Sequence, residues 1–398
     1  MRTRQMFLAS LLVLAIGACE TSNGATLSQQ ELAELTEQFQ VELDGLYEAA
    51  KSTDEIFPGA TAAFMLSDSR IVGVATGYSD VEEGIPMTPE MRMPSGSIGK
   101  TYVAAVALSL AHDGVLNLDD KISKWLGEEE WFPRLPNGRD ITLRNLLNHS
   151  SGMVDHVFDV PGFLTAMQDM VAEGDAERYL TPLELVEFAL DQEPLFPPGK
   201  GFNYTDTGYL LAGLVMDEAS GSAYYDELER RILDPLEFTY TLPQDRRGVP
   251  NLSQGYGVTS AELFGTSEKV VEDGRLTFNP IIEWTGGGVF NNPQDLVRWA
   301  KTLYEGDALP KPYVNDLFGS VAWAGFDDST QVYGLGVAIS EGELGKRYGH
   351  GGFFPGYNSQ MAYFPEQGVA VAMQINTDRS RVGDHILALA KVVLDALP

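Results

Sequence analysis

Ser97 and Lys100 stand three residues apart in Met93-Pro94-Ser95-Gly96-Ser97-Ile98-Gly99-Lys100-Thr101-Tyr102. Pro94 and Gly96 break the chain ahead of them. The apolar run Val103, Ala104, Val106, Ala107, Leu108, Leu110, Ala111 then predicts a buried helix with Ser97 at its first turn. Residues three apart share a helical face, so the Lys100 ammonium reaches the Ser97 hydroxyl. A serine hydroxyl is a weak nucleophile until a neighbouring base takes its proton. A helix N-terminus disfavours an added proton on Lys100 and offers free N–H groups to a developing oxyanion. The plainer alternative is a capping serine followed by a solvated lysine, but an unpaired charge in so apolar a helix is costly.

Two other stretches carry chemistry. Phe202-Asn203-Tyr204-Thr205-Asp206-Thr207-Gly208-Tyr209 places a loop tyrosine just before a helix start. Facing Lys100, the Tyr204 phenol would relay a proton between Ser97 and a leaving group. Alternatively Tyr204 covers the core while Asp206 only caps its helix. In Tyr348-Gly349-His350-Gly351-Gly352-Phe353-Phe354-Pro355-Gly356, glycines at a strand edge let a substrate approach the backbone. His350 would bond that substrate or the Tyr204 hydroxyl, or serve as a satisfied structural histidine. Trp284-Thr285-Gly286-Gly287-Gly288 lacks a P-loop lysine and predicts tight packing near the site instead of phosphate binding. The histidines at 112, 149, 156, 350 and 385 show no metal-ligand spacing, so neither a metal nor a cofactor is expected.

The elements that must position these groups fall into three zones. Glu31–Lys51 has helical periodicity, and Ala60–Leu66 with Ile71–Gly77 reads as a hairpin around Ser67-Asp68-Ser69-Arg70. From Val115 to about residue 310 the chain is mostly helix and loop. Helices are expected at Asp119–Trp125, Ile141–Leu147 (capped by Thr142), Thr181–Leu190, Thr207–Ala219 and Tyr224–Ile232, and a polar surface excursion at Gln244–Asp273. Strands return at Tyr333–Ser340, Arg347–His350, Tyr357–Phe364 and Gly368–Ile375, and Asp384–Leu397 closes as a helix. The pattern predicts an α/β (α+β) fold, with one antiparallel sheet built from both chain ends, flanked by helices, and a mainly helical part inserted between.

With 398 residues, 44% of them hydrophobic, the chain can bury a large core. A net charge of −30 repels nucleic acid and anionic lipid, so neither is an expected partner. The single cysteine excludes an intrachain disulfide. Met1-Arg2-Thr3-Arg4, the short apolar run Phe7–Ile16 and Gly17-Ala18-Cys19 resemble a bacterial lipoprotein signal, with Cys19 the lipidated residue; an ordinary secretory leader is the alternative. Both imply export, with lipid the only membrane contact and a periplasmic, lipid-anchored location for the first.

Ser97-x-x-Lys100, Tyr204-x-Asp206 and His350-x-Gly352 in that order resemble the penicillin-recognising serine hydrolases: class C β-lactamases, D-alanyl-D-alanine carboxypeptidases and their esterase and D-aminopeptidase relatives. Leu146–Gly152, Phe196-Pro197-Pro198-Gly199 and Gly286-Gly287-Gly288 match as well. The resemblance implies Ser97 as a nucleophile forming an acyl-enzyme, and Lys100 and Tyr204 sharing acid and base work. It implies the N–H groups of Ser97 and Phe353 as an oxyanion hole, and Asp206, His350, Gly351 and Gly352 facing substrate. Asp206 replaces the asparagine usual in class C enzymes; a carboxylate cannot donate to a substrate carbonyl and would hold Lys100 charged. Gly351 and Phe353 stand where hydroxyls often grip a substrate carboxylate. The expected activity is therefore that of an esterase or D-amino-acid-specific peptidase on a small-molecule or peptide substrate. A class C-like β-lactamase and a non-turnover penicillin or peptidoglycan sensor are the alternatives. The corresponding division is a leader at 1–19, a tether at 20–30, an N-terminal helix at 31–56 and a hydrolase domain at 57–398. Its sheet part lies at about 57–95 and 330–398 and its helical part at about 97–310.

Overall fold

The computed structural model describes residues 26–53, 56–310, 312–319, 321–322 and 331–398. The predicted leader and Cys19 lie outside the described residues. Gln29–Ala50 forms α1, opened by a capping box in which Ser28 Oγ accepts the Glu31 N–H and Glu31 Oε2 accepts the Ser28 N–H. The strands β1 (Gly59–Met65), β2 (Ile71–Asp80) and β3 (Ile85–Pro86) follow. Helices α2 (Lys100–His112), α3 (Leu143–Leu147), α4 (Asp206–Ser220) and α5 (Pro293–Glu305) lie in the middle of the chain. Then come β4 (Val321–Ala322), β5 (Val332–Tyr333), β6 (Ala338–Gly342), β7 (Gly345–Phe354), β8 (Tyr357–Phe364), β9 (Val369–Ile375) and the closing helix α6 (Gly383–Asp395).

These nine strands form one antiparallel sheet in the order β3-β2-β1-β9-β8-β7-β6-β5-β4. The two chain ends meet at its centre, where Ala60 of β1 pairs with Ile375 of β9. Both central strands are buried along their whole length, and their side chains divide by alternation. Ala60, Ala62, Phe64, Val369, Val371 and Met373 join the cluster that holds Leu35, Phe39 and Leu43 of α1 and Ile386 and Leu389 of α6. Ala63, Met65, Ala370 and Ala372 join the other cluster, with Leu296, Trp299 and Leu303 of α5 and nearly all of α2. Alanines on that face let α5 lie close to the sheet. α2 is buried from Lys100 to Leu110. Its register is fixed by Tyr102 stacking on Trp299 at 4.2 Å and by the Trp299 Nε1–H donating to Thr101 Oγ1 at 2.7 Å.

Several predicted elements change extent. Asp119–Trp125 keeps helix only at Ser123–Leu126, and Thr181–Leu190 only at Pro182–Glu187. Tyr224–Ile232 turns from α-helix into a π-turn at Glu229–Leu233. The strand expected at Tyr333–Ser340 is two short strands, β5 and β6, bent apart at Gly336, whose φ is +67°. β7 runs far past His350 because β8 supplies ladder partners for the glycines, with Gly352 opposite Ser359. Gln244–Asp273 is not a surface excursion. It contains the helix Val258–Phe264 and buries Gln244, Ser253, Gln254 and Ser260. Its polar side chains bond backbone in place of water: Gln254 Nε2–H donates to the Val271 carbonyl at 2.8 Å.

Candidate active site

Ser97 lies on a 3-10 turn, Gly96–Gly99, that leads directly into α2. The turn is wedged between two backbones that only glycines allow so near. A Cβ on Gly352 would stand 1.8 Å from the Ser95 carbonyl oxygen, and one on Gly99 2.1 Å from that of Gly287. Gly96 (φ +56°) would place a Cβ 2.6 Å from the Phe353 nitrogen, so the β7 backbone runs alongside the serine turn.

Lys100 is fully buried, and each of its three N–H groups has an acceptor: Ser97 Oγ at 3.0 Å, the Asp206 carboxylate and the Gly286 carbonyl. Burial alone would push the ammonium pKa down, but the Asp206 and Tyr204 oxygens outweigh it and hold Lys100 well above the ordinary lysine range. Asp206 thus outweighs the helix N-terminus, which by itself disfavours a proton on Lys100. A helix dipole contributes about 0.3–1 kcal/mol, whereas a buried charge and its partner are worth about 3–5 kcal/mol when one is removed.

Tyr204 faces both groups, its ring centroid 5.0 Å from Lys100 Nζ. Burial pushes the phenol up to about 12, against the pull of the Lys100 charge and of its interactions with Ser97 and Lys100. The loop carrying Tyr204 is aimed by Leu146–Gly152 and the residues after it. The Thr205 N–H donates to His149 Nδ1 at 3.1 Å, the Asn203 N–H to the His149 carbonyl at 2.9 Å, and Asn203 Nδ2–H to the Met153 carbonyl at 3.0 Å. Thr205, not Asp206, caps α4, accepting the Gly208 N–H at 3.4 Å. Asp206 is thus left to Lys100. Asp155 accepts the Asp206 N–H at 2.7 Å and the Phe158 N–H at 3.1 Å; burial, reinforced by the Asp206 charge, raises its carboxyl well above the usual range.

His350 lines the same cleft, but both ring nitrogens are engaged within the protein: Nε2 with the Tyr333 hydroxyl at 2.7 Å and Nδ1 with the Gly351 carbonyl at 2.5 Å. The carbonyl requires the proton on Nδ1, so Nε2 accepts from Tyr333. The expected bond from His350 to the Tyr204 hydroxyl is replaced by this pairing, and Tyr333 packs edge-on against Tyr204 at 6.2 Å. Burial and the Lys100 charge push the imidazole down to about 4, leaving it neutral at pH 7. Gly351 has the Gln360 side chain at its flank, 2.6 Å from where a Cβ would stand.

Ser97, Tyr204, Asp206, His350, Gly351, Gly352 and Phe353 all line one cleft of about 1490 Å³. Glu283, unmarked in the sequence, lines it too. One oxygen accepts from Gln244 Nε2–H at 3.0 Å. Burial raises the carboxyl to about 8, with Lys100 and Gln244 pulling it down and Asp206 pushing it up. Its only sequence signal was its place ahead of Trp284–Gly288. Among the described residues no group of three or more His, Cys, Asp or Glu is arranged to hold a metal ion.

The family model described as Beta-lactamase matches residues 46–394. Penicillin-binding protein 4* of Bacillus subtilis (strain 168) is 25% identical over 332 residues, 81% of this chain and 69% of that protein. The D-stereospecific amidohydrolase from Streptomyces sp. superposes with a TM-score of 0.74 at 28% identity, covering 87% of this chain and 97% of that one. D-amino acid amidase from Ochrobactrum anthropi SV3 shares the fold, with a TM-score of 0.75 at 24% identity over 91% of this chain and 99% of that one. The family match spans the segments that carry Ser97, Lys100 and Tyr204, and the chain is a member of the beta-lactamase family.

Proposed function

We propose that this protein is a serine hydrolase that moves the acyl group of an amide or ester onto Ser97 and then onto water. The observation that carries the reading is the 3.0 Å hydrogen bond from a fully buried Lys100 to Ser97 Oγ, with the other two lysine hydrogens held by Asp206 and the Gly286 carbonyl. Lys100 so held is a fixed cation. Its role is to stabilise negative charge as it builds on Ser97 Oγ and the Tyr204 oxygen. Tyr204 remains a phenol at neutral pH and acts as a relay. As Ser97 Oγ attacks the carbonyl carbon, its proton passes to the Tyr204 oxygen while the Tyr204 proton passes to the departing nitrogen or oxygen. Water then takes the leaving group's place and the relay runs in reverse, releasing the acid and restoring Ser97. The N–H groups of Ser97 and Phe353 are assigned to the carbonyl oxygen, supported by the close run of β7 beside Gly96.

The substrate reading is an ester or a D-amino-acid amide or peptide, in keeping with the amidase and amidohydrolase relatives. Penicillin-binding relatives make β-lactam acylation the second reading; the missing hydroxyls at Gly351 and Phe353 weigh against rapid β-lactam turnover. Wild type is expected to be labelled by a fluorophosphonate and to hydrolyse a p-nitrophenyl ester. Ser97→Ala should do neither while melting at the same temperature. Hydrolysis surviving in the variant would refute the assignment. Stable labelling by a fluorescent penicillin without turnover of any ester or amide would mark a sensor instead.

We further propose export, with lipid on Cys19 as the anchor, on the strength of the leader's basic start, short apolar run and Ile16-Gly17-Ala18-Cys19. Labelled fatty acid should enter wild type and not Cys19→Ser when each is expressed in a bacterium.

A further inference from the structure

We propose that Glu283 is the seat of a free amino group on the substrate, so that the preferred acyl donors are amides or esters of amino acids with an unblocked amine and a bulky apolar side chain. This deepens the hydrolase reading and rests on it only for which cleft receives the substrate.

Position comes first. The point where a Cβ of Gly287 would stand is 2.6 Å from Glu283 Oε1 and 2.4 Å from the Gly96 carbonyl oxygen. The absence of that Cβ lets the carboxylate lie beside the residue preceding the nucleophile. An α-amino group lies two bonds from the carbonyl under attack, so its partner must stand near the serine, as Glu283 does.

Partners come second. Glu283 Oε2 accepts from Gln244 Nε2–H, while Oε1 has no hydrogen-bond partner among the described residues. Lys100 cannot supply one, because its three donors are committed to Ser97, Asp206 and Gly286. Asp206 is matched by Lys100 and Asp155 by two backbone N–H groups. Glu283 thus sets beside the nucleophile turn a carboxyl oxygen that no hydrogen bond occupies. Burial holds its carboxyl at about 8; an ammonium placed there draws out the ionised form and is stabilised both by charge and by a charge-assisted hydrogen bond.

The walls come third. Phe163, Met167, Leu263, Phe264, Phe278 and Ile282 line the same cleft and give an apolar side chain somewhere to go. At the β7 side, Gly351 and Phe353 bring no hydroxyl for a substrate carboxylate. Beside Ser97 the cleft is thus built to grip an amine and an apolar group.

Binding tests this directly in a Ser97→Ala background, where turnover does not intervene. Calorimetry compares D- and L-phenylalanine amide with 3-phenylpropionamide, which lacks the amine, and with N-acetyl-phenylalanine amide, which lacks the charge. At least one free-amine enantiomer should bind about tenfold or more tightly than both uncharged analogues, and Glu283→Gln should erase that ratio. An unchanged ratio in Glu283→Gln, or uncharged analogues binding as well as the amines, overturns the proposal. The analogue comparison alone decides the matter if Glu283→Gln does not fold. Turnover by the Ser97 enzyme is read separately. An intact amine preference with no hydrolysis of any of these compounds would sink the hydrolase reading and leave this one standing.

Discussion

A lysine ammonium without water around it survives only if its neighbours carry the opposing charge. At Lys100 that charge comes from Asp206, and the pair defines what both residues do. Because the folded pKa of Lys100 is raised, its contribution to stability is complete below the ordinary lysine value and is lost only as pH rises through the higher folded value. In Asp206→Asn, burial dominates and the folded value falls below the unfolded one. The penalty is then greatest at neutral pH and fades as the solution approaches about pH 10, where the unfolded lysine also gives up its proton. The expected loss is about 3–5 kcal/mol at pH 7, shrinking on alkaline titration as read by thermal melts across pH. A pH-independent loss would show that Asp206 does not set the charge state of Lys100. Because Lys100 becomes able to act as a base, the variant's kcat should acquire a lysine titration that the wild type's lacks. The sequence displayed both members of this pair through the spacing of Ser97 to Lys100 and Tyr204 to Asp206. Asp155, His149 and Glu283 were illegible because each works on a group distant in sequence: Asp155 on the Asp206 N–H and His149 on Thr205, 51 and 56 residues on.

The Ser97 turn has no side-chain cap of its own. It keeps its shape because β7 and the Trp284–Gly288 loop close on it from two sides. Gly352→Ala puts a methyl where the Ser95 carbonyl already lies, 1.8 Å away, so turn and strand must separate. Overpacking of this kind costs about 1–3 kcal/mol. Displacement of the nucleophile by about 1 Å costs roughly a hundredfold in rate. The variant should therefore remain folded at room temperature and lose kcat far more than stability. Full kcat in Gly352→Ala would mean that β7 does not hold the serine. The glycine run was visible in the sequence as a place of close approach, yet it read as a strand edge. Only the seven-pair ladder between β7 and β8 shows it to be strand interior. Long periodic elements such as α1 and α2 were legible because their burial pattern is written locally. The excursion at Gln244–Asp273 misled because its polar residues bond buried backbone, and polarity alone does not distinguish that from solvent.

At the scale of the whole molecule the sheet separates two jobs. The face carrying α2 and α5 holds the Ser97 turn, while the opposite face is sealed by α1 and α6 around Phe39, Phe64, Val371 and Leu389. Phe39 is fully buried, and its ring meets Phe64 edge-on at 4.9 Å. Truncating it empties a large volume against a sheet that cannot collapse, because β1 is paired on both sides. Phe39→Ala should cost about 3–5 kcal/mol. That loss should reach catalysis only by global unfolding: no α1 residue lines the cleft, α6 reaches it only through Gly383–Leu387 at its start, and the alternating side chains of β1 and β9 keep the two cores apart. Well below its melting temperature, then, Phe39→Ala should match wild type in kcat and KM while denaturing at a much lower urea concentration. The contrast with Gly352→Ala makes the pair informative. One variant trades stability for nothing in rate and the other rate for little in stability, and a fall in kcat for Phe39→Ala at low temperature would show that the sheet transmits packing from one face to the other.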